Sequence, residues 1–190
     1  MMRPALILGL GGLLAAGSAA LELFVNGDFE TALAPPWLSD TGGPGTFIVR
    51  ATTFDPDPDY EVLVQKGSGN GHAKLWQTIA VPSPEVVFSI TAKLQASATW
   101  GATRPWAVAA ILLYYEDQLG RLYGTTCIAR PSTHCPWTSS DSFRLITVAD
   151  EEWRTHTIDV AQELQYFAGV DPQAVSRIRV GLAAVVGADC

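Results

Sequence analysis

Basic residues are scarce in this chain. Twelve Lys and Arg stand against nineteen Asp and Glu, a formal net charge of −7 at pH 7. Such a surface repels a phosphate backbone, so no nucleic-acid partner is expected. Cysteine is scarce too. Three in 190 residues are too few for a domain that replaces its core with disulfides. The three histidines, His72, His134 and His156, form no metal pair, and there is no HExxH run. A phosphate-cradling loop and a Gly-x-Ser-x-Gly nucleophile elbow are also missing. Glycosidic chemistry needs two carboxylates facing one bond, yet Glu116 and Asp117 are neighbours and would point to opposite faces of a strand. Glu151 and Glu152 lie in a turn. No catalytic residue is therefore expected, and the chain reads as a non-enzyme. After residue 20 no apolar run approaches the roughly 20 residues of a membrane-spanning helix, so no membrane span is expected in the mature chain.

What is present begins with a leader. Met1-Met2-Arg3 is a short positive start, residues 5–17 are apolar, and Ser18-Ala19-Ala20 offers small side chains for a signal peptidase. The reading is a signal peptide over residues 1–20, cleaved near Ala20. A secreted, extracellular or cell-surface domain follows over residues 21–190. With 48% hydrophobic and 16% charged residues it is globular and not disordered. In an oxidising compartment Cys127 and Cys135 are expected to close a disulfide around the loop between them. A zinc site using these two and His134 lacks a fourth ligand. Cys190 is left over at the chain's end, a candidate for self-association.

Most of the remainder reads as short strands cut by Gly, Pro, Asp and Ser. In residues 85–95, Phe88, Ile90, Ala92 and Leu94 share one face, with Ser89, Thr91, Lys93 and Gln95 on the other. Ile178, Val180 and Leu182 repeat the device in residues 176–184. Further strands are expected at 21–25, 46–50, 60–66, 73–81, 106–116, 122–129, 142–148 and 153–160. One short helix is expected near 161–168, stopped by Gly169 and Asp171-Pro172. Ten strands at this spacing predict an all-β fold: a single two-sheet antiparallel β-sandwich, or jelly roll. Residues 106–116, WAVAAILLYYE, are apolar on both faces. That suits a strand covered on both sides, or one whose second face lines an aromatic groove.

Asn26-Gly27-Asp28-Phe29-Glu30 followed by Trp37 resembles the opening of carbohydrate-binding modules with a calcium-binding, galactose-binding-like jelly roll. Trp76-Gln77-Thr78-Ile79-Ala80-Val81 with the proline turn and VVFSITAKLQ after it resembles a later passage of that family. So do Leu113 through Gly120, and Trp153 through Val160 with RIRVGLAAVVG. The likeness spans most of residues 22–187. It implies a structural calcium ion (Ca2+) held partly by Glu30, with backbone carbonyls and an Asp from a final strand; Asp28 could add an oxygen, as could the acidic loop Asp55-Pro56-Asp57-Pro58-Asp59 if it folds nearby. Calcium takes six to eight oxygens. It also implies structural roles for Trp37 and Trp153, and for Trp76. The family's final strand, which pairs beside the first, has no counterpart before Cys190, so either the sequence stops short or the sandwich has an open edge there.

Sugar rings stack their C–H faces on Trp and Tyr, while hydroxyls need polar partners. Trp100, Trp106 and Trp137 lie in or beside loop-like stretches. Tyr114 and Glu116 share a strand face with Trp106, and Lys93 and Gln95 lie on a polar strand face that could adjoin it. These seven residues are the candidate carbohydrate contacts, and a polysaccharide or glycan is the expected partner. The competing reading is a structural subunit of a cell-surface layer or extracellular filament. It would accept a neighbour's strand at the open C-terminal edge, or link through Cys190.

Overall fold

A computed structural model describes residues 5–9, 23–54, 58–98 and 104–188. Two sheets stack into the expected β-sandwich. The first runs in the order β10 (Arg154–Asp159), β6 (Val87–Gln95), β1 (Ala5–Gly9), β4 (Glu61–Lys66), β3 (Thr46–Ala51). The second runs β2 (Leu38–Gly42), β5 (Gly71–Ala80), β11 (Arg177–Ala188), β7 (Pro105–Glu116), β8 (Leu122–Pro131), β9 (Phe143–Thr147). The core lies between them. It takes Phe88, Ile90, Ala92 and Leu94 from β6 and Ala73, Leu75 and Ile79 from β5. The inner faces of β7 and β11 add Ile111, Leu113, Tyr115, Ile178, Val180 and Leu182. The alternation in the sequence thus selects which face of each strand is buried.

Two expectations at the ends change. Residues 23–25 are not a strand. The side chain of Gln77, itself buried, accepts from the Val25 N–H (2.9 Å) and donates to the Val25 carbonyl (3.0 Å), and Trp37 Nε1 donates to the same carbonyl (2.9 Å). A buried amide and an indole satisfy the backbone here, where a neighbouring strand would have done so. At the other end, β11 is an interior strand and not an edge of the second sheet. β11 is paired with β5 over residues 177–186 on one side and with β7 over 177–188 on the other. Cys190 lies outside the described residues. The short helix forms as α1 (Val160–Leu164), capped by Asp159 Oδ1, which accepts from the Gln162 N–H at 3.1 Å.

Ala5–Gly9, within the stretch read as a leader, pairs antiparallel with β4 on one side and β6 on the other. Leu6 is in register with Val64 and Leu94, and Leu8 with Val62 and Ala92. β4 and β6 are therefore parallel to each other, separated by one strand's width.

β8 and β9 are the one parallel pair among the described strands. Parallel neighbours need a crossover that carries the chain back along the strand. Residues 132–142 make it, and they cross the outer face of the second sheet. Cys135 and Trp137 pack there on Val108, Ala110, Leu112, Cys127 and Ala129. β7 is therefore covered on both faces, one in the main core and the other in a second cluster.

Candidate functional site

The outer face of the second sheet is laid out by strand register. Across it run Asp40 of β2, His72, Lys74 and Trp76 of β5, then Arg179, Gly181, Ala183 and Val185 of β11. Trp106, Val108, Ala110, Leu112 and Tyr114 of β7 follow. Small residues fill the centre: Gly181, Ala183 and Ala110. The sheet is shallow there, while Tyr114, the crossover's Trp137 and the β5 side chains stand up around it. The result is a groove of about 490 Å³, floored by Leu112, Ala183 and Val185 and walled by His72, Lys74, Tyr114 and Trp137. A second hollow of about 230 Å³ adjoins it, sharing Lys74, Leu112 and Tyr114 and adding Trp76 and Arg179. Trp137 is braced edge-on by Phe143, ring centroids 6.1 Å apart.

The charged side chains of this face are mostly paired. Arg179 Nη2 lies 2.7 Å from Glu116 Oε1, and its guanidinium stacks on Tyr114 at 4.5 Å from the ring centroid. Glu116 is only 5% exposed, so it orients Arg179 and is not available to a ligand. Asp40 Oδ2 meets His72 Nε2 at 2.8 Å. Burial raises the Tyr114 phenol above its ordinary pKa, partly opposed by Arg179, so the hydroxyl stays protonated and can both donate and accept. Lys74 has no hydrogen-bond or ion-pair partner among the described residues.

Of the seven sugar-contact candidates, the structure brings Tyr114 and Trp137 into the groove, with Glu116 behind them. Trp106 lies on the same face but past the groove's end. Its indole packs against Gly187, where a Cβ would overlap the ring. Trp100 is outside the described residues. Lys93 and Gln95 do not adjoin Tyr114. β6 belongs to the first sheet and β7 to the second, and their outer faces look in opposite directions. Trp37 is a core residue, 8% exposed. Trp76 was assigned a structural role by resemblance, yet it faces the second hollow. His72, Lys74, Trp76 and Arg179 were missed. The alternation His72, Lys74, Trp76, Thr78 was visible, but buried Gln77 on the opposite face obscured which side was polar.

The turn at residues 26–31 is closed by its own groups. Asn26 and Phe29 adopt left-handed φ values of 53° and 59°. The Asn26 side chain accepts from the Thr31 N–H (2.8 Å) and donates to the Thr31 carbonyl (3.0 Å). Asp28 Oδ1 accepts from the Glu30 N–H (3.2 Å), and Glu30 Oε1 accepts from the Tyr60 N–H (3.2 Å). The Phe29 and Glu30 carbonyls both accept from the guanidinium of Arg50, which also lies over the Tyr60 ring at 3.2 Å. Those two carbonyl oxygens thus already face a cation, the Arg50 guanidinium. Among the described residues no group of three or more His, Cys, Asp or Glu assembles.

Cys127 and Cys135 are unbonded and share the outer cluster. Burial, with the neighbouring Cys135 adding to it, pushes the Cys127 thiol up to about 12.

No protein-family model and no curated protein matches the sequence. Among solved structures, one similar chain comes from work on the structural basis for the promiscuous specificity of carbohydrate-binding modules from the β-sandwich superfamily. The TM-score is 0.44 and the identity 12%, over 85% of this chain and 55% of that one. This chain thus spans just over half the length of that protein.

Proposed function

We propose that this β-sandwich is a non-catalytic glycan-binding module, exported to the cell surface or beyond, and that the outer face of its second sheet holds the sugar. The observation that carries this reading is the groove between Tyr114 and Trp137. Two aromatic rings flank a floor of small and aliphatic side chains, and polar groups of β5 and β11 stand at its margin. A pyranose offers apolar C–H faces to rings and hydroxyls to polar groups, and this arrangement answers both. The test is retention on a panel of insoluble polysaccharides and a glycan array. The wild-type protein should bind a subset. Tyr114→Ala and Trp137→Ala should each weaken binding about tenfold or more, as loss of a central aromatic anchor does, with unchanged circular dichroism. No retention on any glycan would retire this reading.

A second reading is favoured by the position of Ala5–Gly9. Cleavage near Ala20 would remove this strand and leave β4 and β6 about 10 Å apart across an empty slot, two strand spacings. Their unpaired donors and acceptors would then accept an extended segment of another chain. A structural subunit that assembles by strand exchange would use this slot within the first sheet, in place of the C-terminal edge.

A further inference from the structure

We propose that the groove selects an anionic glycan, one carrying carboxylate or sulfate groups, and that Lys74 is the residue that reads the charge. This rests on the glycan-binding reading of the same face. The inference comes from an accounting of the groove's ionic groups. Glu116 is ion-paired with Arg179 at 2.7 Å, and Asp40, which lines the second hollow with Lys74, hydrogen-bonds His72 at 2.8 Å. Asp40 is directly across from Lys74 in the β2–β5 register, yet its carboxylate meets the imidazole and makes no ion pair with the ammonium. Among the described residues, Lys74 is thus a cation of this face with no carboxylate within ion-pair distance. It also lines both hollows, so any chain of sugars long enough to occupy the two must pass it. Its neighbour across β11 is Ala183, so no bulky side chain separates the ammonium from the floor on which a ring would rest. A sugar stacked on Tyr114 would bring a substituent within reach of a compact, three-donor point charge.

The rest of the molecule argues that such recognition would be local. A chain of net charge −7 repels polyanions in general, so retention of an acidic polysaccharide cannot arise from bulk ion exchange. A neutral glycan, by contrast, would leave the ammonium half-buried with no anionic partner in the complex.

The experiment is affinity electrophoresis and calorimetry with four polymers: polygalacturonate, its neutral counterpart galactan, dextran sulfate and dextran. The expected result is binding to an acidic polymer with little or none to its neutral counterpart. The polygalacturonate and dextran sulfate arms separate a carboxylate reader from a sulfate reader. Lys74→Met keeps the aliphatic stem and removes the charge. It should weaken acidic-glycan binding about tenfold, the scale of one charge-assisted hydrogen bond, while Lys74→Arg retains most of it. Both variants should melt as the wild type does. Preference for galactan or dextran, or undiminished acidic binding by Lys74→Met, would overturn the proposal and leave the glycan-binding reading standing. Absence of binding to these and to every glycan on the array would sink both.

Discussion

Arg50 does for the turn at residues 26–31 what a bound cation would do. Its guanidinium gathers the Phe29 and Glu30 carbonyls and stacks on Tyr60, tying the turn to β3 and to the start of β4. Phe29 is fully buried beneath this knot, packed on Trp37 with ring centroids 5.2 Å apart. Removing the guanidinium would leave two carbonyls unpaired in a partly buried site. Arg50→Met is expected to cost about 1–3 kcal/mol, read as a lower midpoint in urea. The wild-type melt should be the same with calcium and with EDTA. A calcium-dependent rise in the wild-type melting temperature would show that a metal holds this turn after all. The turn itself was legible, since Asn, Gly and Asp cluster there and tolerate left-handed backbone. Arg50 was not, because its partners are some twenty residues away and nothing in a sequence marks a guanidinium that will fold back onto carbonyls.

At the level of elements, the crossover of residues 132–142 shapes the site. Because β9 lies parallel to β8, the chain must recross the sheet, and this lays Trp137 beside Tyr114 and Cys135 in the same cluster as Cys127. The expected disulfide would staple the crossover to β8 and fix one wall of the groove. Mild oxidation should therefore lower the mass by two hydrogens, with the new bond mapped to Cys127 and Cys135 by peptide analysis. The reduced protein carries a pH signature. The Cys127 thiol ionises at about 12 in the folded state against an ordinary 9.0. Between those values the folded state keeps a proton that the unfolded chain has lost. Stability is then present below about pH 9 and falls as pH rises through the window. Urea midpoints across that range should decline for the reduced protein and lose this component once the bond is closed. Equal alkaline slopes with and without oxidant would mean that no such bond had formed.

On the scale of the whole molecule, the two sheets differ in what their outer faces offer. The second sheet carries the groove. The first carries a central strand, Ala5–Gly9, drawn from a stretch that also reads as a leader. The proposed processing places these two features in conflict. N-terminal sequencing of protein recovered from the medium should begin at or near Leu21. Residues 21–190 prepared alone should be less stable than the full chain, or should assemble. Size-exclusion chromatography with an added peptide ALILG would restore a monomer if the slot between β4 and β6 is the point of contact. A monomer of residues 21–190 as stable as the full chain would remove the strand-exchange reading.

The chain's own order of residues determined the sandwich. Period-two alternation in β6 and β11, turn residues between the strands and the near absence of helix signals specify faces and boundaries locally, and burial enforces them. Residues 38–42, LSDTG, carry no such alternation, so the edge strand β2 was not visible. Which strands become neighbours was decided only in three dimensions. β6 and β7 fall in different sheets, and that separates Lys93 and Gln95 from Tyr114. Likewise the side chains of β5 gained a site because β11 and β7 packed alongside with Gly181, Ala183 and Ala110 at the centre. Local pattern fixes which way a side chain points; only the packing of distant segments fixes what it points at.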